Sequence, residues 1–142
     1  MRRAASGVVL AIAGLHVAWG GGSSFPFANR ERLADAVIGA EEVPPPAACF
    51  AVAAMLVVGA AALSESFSIP NRLRAFVLYA MAVALGVRSV LGFLGLTRLA
   101  SPASTSRTFR ERDRSIYSPL TLALAFAALR TALQLKRVDA KS

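Results

Sequence analysis

Apolar positions in this chain come in long blocks rather than in strict alternation, which argues for helices over strands. Four blocks, residues 4–22, 43–63, 75–97 and 115–135, approach or exceed the about 20 residues that a helix needs to cross a hydrocarbon layer. Pro44, Pro45 and Pro46 open the second block, where proline suits a helix start. Pro70 and Pro102 fall between blocks, where helices are expected to break. The run Gly20-Gly21-Gly22 closes the first block and reads as a helix terminator. Between the first two blocks, Leu33, Ala34, Val37 and Ile38 recur at helical spacing after Asn29, a suitable cap. That segment fits either an amphipathic helix on a membrane surface or a plain connecting helix. The pattern predicts an all-α fold, a four-helix transmembrane bundle occupying one integral membrane domain over residues 1–142.

Composition agrees with the pattern. Of 142 residues, 56% are hydrophobic and 17% charged, with a mean hydropathy of +0.55. So much apolar surface cannot be hidden inside so short a soluble chain, and disorder requires the opposite balance. Arg2 and Arg3 before the first block would also suit a secretory signal, but His16 and Trp19 interrupt a cleavage-region pattern.

The net charge of +8 would suggest nucleic acid in a soluble protein, yet the cations cluster at block ends, where lipid phosphates lie. No motif or aromatic-basic platform for nucleic acid accompanies them. An even number of spans puts Arg2, Arg3, Arg72, Arg74, Lys136, Arg137 and Lys141 on one side, opposite the acidic loop of residues 23–42. The positive-inside rule then favours cytoplasmic termini in a multi-pass cell-membrane protein. Arg98, Arg107, Arg110, Arg112 and Arg114 in the third loop pull the other way.

Arg88 is the most informative residue, because a cation inside an apolar block is costly and usually faces a cavity or a partner. Its stripe of Ala84, Gly92 and Gly95 would admit a neighbouring helix closely. Antiparallel spans bring His16, Trp19, Arg88 and Tyr117 to one level, with Glu41 and Glu42 at its rim. Three readings follow. Arg88 pairs with Glu41 or Glu42 and fixes the bundle; or it binds an anionic ligand with His16 and Tyr117 as partners; or His16 acts as acid or base beside it. Trp19 and Tyr117 also suit interfacial anchors. A single histidine and the lone Cys49 offer neither a bis-histidine haem site nor a metal cluster, so no metal, cofactor or assigned catalytic residue is expected. With no carboxylate inside a block, a proton-coupled carrier of that kind is not expected either.

Several segments resemble a known family. They are His16-Val17-Ala18-Trp19-Gly20-Gly21-Gly22, Arg88 with Gly92 and Phe93, and Asp113-Arg114-Ser115-Ile116-Tyr117-Ser118-Pro119-Leu120. In order and spacing they are similar to the bacterial domain-of-unknown-function family 3995, small four-span membrane proteins. Where a cysteine commonly follows that Pro-Leu pair, Thr121 stands here. The resemblance implies a fold and a location and no activity. The first functional expectation is a non-enzymatic accessory or lipid- and anion-binding bundle, partnered by membrane lipids, a homo-oligomer or another membrane protein. The second is a small membrane enzyme or carrier acting on a lipophilic anion through Arg88, His16 and Tyr117.

Overall fold

The computed structural model describes residues 2–64, 69–99, 102 and 104–139. The elements are α1 (Arg2–Gly20), α2 (Arg30–Val37), α3 (Pro46–Leu63), α4 (Asn71–Phe93), a 3-10 turn (Thr97–Leu99), α5 (Arg107–Arg112), a π turn (Asp113–Tyr117) and α6 (Ser118–Asp139). There is no strand among the described residues. The fold is an all-α helical bundle, with four helices long and apolar enough to cross a membrane: α1, α3, α4 and the run Arg107–Arg137.

The ends of these helices correct the expected spans. Helix α3 starts at Pro46 behind its proline cap, whereas α4 starts at Asn71 and stops at Phe93. Gly95, at φ +69°, turns the chain back, so Thr97 lies outside the helix. The fourth long helix begins eight residues before residue 115, since α5, the π turn and α6 follow without a gap. Pro119 has no N–H to give the carbonyl four residues back, and the widened turn just before it bonds the Ser118 N–H to the Asp113 carbonyl. At the end of α1, Ser23 N–H bonds the Ala18 carbonyl at 2.9 Å and Gly22 adopts φ +97°, so the glycine run does terminate the helix.

Helix α1 lies along α3, and α4 lies along α6, while the two pairs meet more sparsely along α3/α4 and α1/α6. Small residues form the seams. Ala60, Ala62, Ala128 and Ala132 are buried with Val9, Leu63, Leu78 and Leu124, and Ser6 Oγ donates to the Ala60 carbonyl at 3.0 Å across α1 and α3. Many of the larger apolar side chains point outward, Phe76 at 69% and Met55 at 66% exposure. That arrangement suits lipid, where burial of apolar surface gives no advantage and close backbone approach supplies the attraction.

One end of the bundle carries a cap. Asn29 Oδ1 accepts from Arg32 N–H at 2.9 Å and starts α2. Leu33, Ala34 and Ala36 are then buried, so α2 is a connecting helix folded onto the bundle rather than one lying free on a surface. The Gly39 carbonyl accepts from Thr105 N–H at 2.8 Å and Ser106 N–H at 3.1 Å, joining the first loop to the third. Gly39 itself sits at φ +74°, with Phe109 Cβ only 2.7 Å from where its own Cβ would lie. Ser104 Oγ donates to the Ile38 carbonyl in the same cap.

Candidate functional site

Arg88 sits on α4 five residues before its end at Phe93, about 7.5 Å along the axis. Arg88 therefore lies nearer the end of its helix than the expected block of residues 75–97 implied. Its partner is not Glu41 or Glu42. Those two side chains are exposed and line a cleft with Arg30 and Glu31. The guanidinium instead grips Asp113 with both terminal nitrogens, Nη2 to Oδ1 at 2.7 Å and Nη1 to Oδ2 at 3.2 Å. Asp113 lies in the same continuous helical run as the fourth apolar block, Arg107–Arg137, two residues before the block begins.

Asp113 is 1% exposed and fully engaged. Thr97 Oγ1 donates to Oδ2 at 2.5 Å and Ser118 Oγ to Oδ1 at 3.3 Å, so each carboxylate oxygen accepts two hydrogen bonds, its whole capacity. Ser89 Oγ donates to the Ser118 carbonyl at 2.8 Å, a further link between α4 and α6. Gly92 makes this approach possible. A Cβ there would overlap Ser118 Oγ and lie 2.9 Å from Arg88 Nη1 and 3.0 Å from Asp113 Oδ2. The small stripe around Arg88 therefore does admit a neighbour, and that neighbour is the start of α6.

Arg88 is less completely used. Two of its five N–H groups meet Asp113. The other three meet no acceptor among the described residues, and the side chain is 29% exposed. On the helical wheel Arg88 follows Ala84 and Leu85, which line a lateral apolar groove of about 550 Å³ between α3 and α4. Val52, Leu56 and Gly59 form its α3 wall and Val77 and Met81 continue its α4 wall.

His16 and Trp19 belong to the other helix pair. His16 Nδ1 lies 2.9 Å from the Ile12 carbonyl of its own helix. A carbonyl can only accept, so Nδ1 is the donor in this contact. The imidazole stands 4.9 Å from the Trp19 ring, and Trp19 Nε1 donates to the Phe25 carbonyl at 2.7 Å. Both rings line a small cavity of about 110 Å³ with Leu33, Val43 and Cys49. Cys49 is buried, with Sγ 3.9 Å from the Pro44 carbonyl. Tyr117 turns its hydroxyl toward neither Arg88 nor His16; it donates to the Ala36 carbonyl of α2 at 2.9 Å. One end of the bundle thus holds the expected polar residues in separate places: Arg88 with Asp113, His16 with Trp19, Tyr117 bonded to α2, and Glu41 and Glu42 in the cleft with Arg30. Among the described residues no group of three or more His, Cys, Asp or Glu side chains could hold a metal ion.

Neither Asp113 as the partner of Arg88 nor Thr97 as a donor to Asp113 is expected from the sequence pattern. Asp113 was visible in the motif Asp113-Arg114-Ser115-Ile116-Tyr117-Ser118-Pro119-Leu120, but a fourth span starting at residue 115 left it outside. Nothing in the local sequence of Thr97 marks it, since only the turn at Gly95 brings it back.

A family described as "Protein of unknown function (DUF3995)" matches residues 9–128. No curated protein and no solved structure matches the chain.

Proposed function

The chain belongs to the DUF3995 family, whose description assigns no activity, and we propose that it is a multi-pass membrane protein of bacteria working without catalysis, as a lipid- or anion-binding accessory bundle. Its four long helices form one four-helix membrane domain, with both termini on the cytoplasmic side of the cell membrane. One observation carries this reading. The polar groups that chemistry would require are committed to the fold, with Asp113 saturated by Arg88, Thr97 and Ser118, His16 Nδ1 bound to Ile12 and Tyr117 bound to Ala36. Arg88 keeps three N–H groups that no described residue accepts, and they can only donate. A site of unspent donors beside an apolar groove favours holding an acceptor-bearing, lipophilic molecule over transforming one. The same separation of Arg88 from His16 and Tyr117 speaks against an enzyme or carrier that uses the three together.

Native mass spectrometry of the chain released from its own membranes tests this reading. A retained phospholipid or small anion is expected. A chain released bare, or bound only to a protein partner, would overturn it.

A further inference from the structure

We infer that the α3/α4 groove and the outer edge of Arg88 together form a site for one phospholipid, with an acyl chain along the groove and the phosphate on the guanidinium. This deepens the proposed function and rests on it. Three observations converge.

The first is a mismatch in hydrogen-bonding capacity. Asp113 accepts all four hydrogen bonds its oxygens can take, so it can receive nothing more. Arg88 has three N–H groups that no described residue accepts, on a side chain 29% exposed. At the edge of a hydrocarbon layer such donors are met by water or by lipid headgroups. Their complement is an oxygen-rich acceptor, and an ionised phosphate provides the strongest charge-assisted bonds.

The second is the groove itself. Its volume is about 550 Å³ and its lining side chains are all apolar, Val52, Met55, Leu56, Phe76, Met81 and Leu85 among them. It exists because the α1/α3 and α4/α6 pairs meet only sparsely along this side. No carboxylate lines the groove itself, and Asp113, which shares Arg88, is 1% exposed.

The third is register. Ala84 and Leu85 form the end of the groove nearest the cap, and Arg88 lies one turn further along the same face. A chain lying in the groove therefore places its headgroup at the level of Arg88. That level is about 7.5 Å from the helix end, within reach of a snorkelling guanidinium and a lipid phosphate. A purely apolar occupant would offer no acceptor to the N–H groups of Arg88 that Asp113 leaves unused.

The test uses the full chain in nanodiscs of phosphatidylglycerol and phosphatidylcholine doped with diacylglycerol, released for native mass spectrometry. Wild type is expected to retain one phospholipid and no diacylglycerol. Ala84→Phe fills the groove from an exposed position and is expected to lower retention roughly five-fold, on the scale of losing one chain contact region. Val83→Phe, 65% exposed and outside the groove lining, should leave retention unchanged. Arg88→Lys keeps a cation for Asp113 but loses the planar edge, and an about ten-fold loss is expected. Because Arg88→Lys could unfold the chain, Ala84→Phe decides the matter by itself. Full retention by Ala84→Phe overturns this site while leaving lipid binding elsewhere intact. Equal retention of diacylglycerol overturns the phosphate contact. A lipid-free wild-type dimer that Ala84→Phe converts to monomer assigns the groove to a second copy. Wild type retaining no lipid at all removes the lipid-binding reading and this site with it.

Discussion

At the scale of single residues, the Arg88–Asp113 pair shows how a buried charge becomes tolerable. Asp113 is 1% exposed, and four hydrogen bonds, two of them from Arg88, compensate its burial. Removing Arg88 alone leaves the carboxylate without its counter-ion, and breaking a buried pair from one side costs about 3–5 kcal/mol. Arg88→Met should therefore shift unfolding in a denaturing-detergent titration by about that amount. The double variant Arg88→Met/Asp113→Leu should recover most of the loss, because it leaves no orphaned charge. A double variant as unstable as the single would mean that the pair is not coupled. Gly92 is a sharper test of the same geometry. A methyl there collides with Ser118 Oγ and crowds Arg88 and Asp113, so Gly92→Ala should destabilise by about 1–3 kcal/mol despite alanine's better helix propensity. A neutral or stabilising Gly92→Ala would contradict this close approach.

Among the elements, the cap formed by α2 and α5 is held by specific hydrogen bonds. Tyr117 reaches from the π turn to the Ala36 carbonyl near the end of α2, and Asn29 closes the start of that helix. An eight-residue helix is too short to persist by its own hydrogen bonds. Its order depends on tertiary contacts, chiefly buried Leu33, Ala34 and Ala36. Tyr117→Phe removes one hydrogen bond worth about 0.5–1.5 kcal/mol, and Asn29→Ala removes a cap worth about 1 kcal/mol. Either change should raise amide hydrogen exchange in residues 30–37 several-fold while leaving α3 and α4 protected. Exchange rising equally in all helices would show that the cap and the bundle unfold as one unit.

For the whole molecule, two tightly packed helix pairs joined along sparser seams give a bundle with one apolar lateral groove and one capped end. The orientation proposed above is checked by cysteine labelling in a Cys49→Ala background. Ser104 is a poor reporter because it is 2% exposed, whereas Thr108 on α5 is exposed. Thr108→Cys should react with a membrane-impermeant reagent from outside intact cells, and Ile69→Cys, at the opposite end, only after lysis. The reverse pattern would place the termini outside, in line with the arginines of the third loop.

Block length and hydropathy determined four long helices, because each property belongs to a contiguous stretch of chain and needs no neighbour to be read. The glycine terminator after α1, the Asn29 cap and the small stripe around Arg88 were legible for the same reason. The polar constellation was legible only as a common level: antiparallel order brings His16, Trp19, Arg88 and Tyr117 to one end, but depth says nothing of which helices touch. Tertiary structure decided that α4 lies along α6 and α1 along α3, and this separates Arg88 from His16 and Trp19. It also decided that the counter-ion of Arg88 is Asp113 and not Glu41 or Glu42, since a π turn before Pro119 and a reversal at Gly95 bring Asp113 and Thr97 to it. Pairing of this kind is a property of helix azimuth and loop path, set by contacts between residues 16 and 25 positions apart in the chain. No local pattern encodes such contacts.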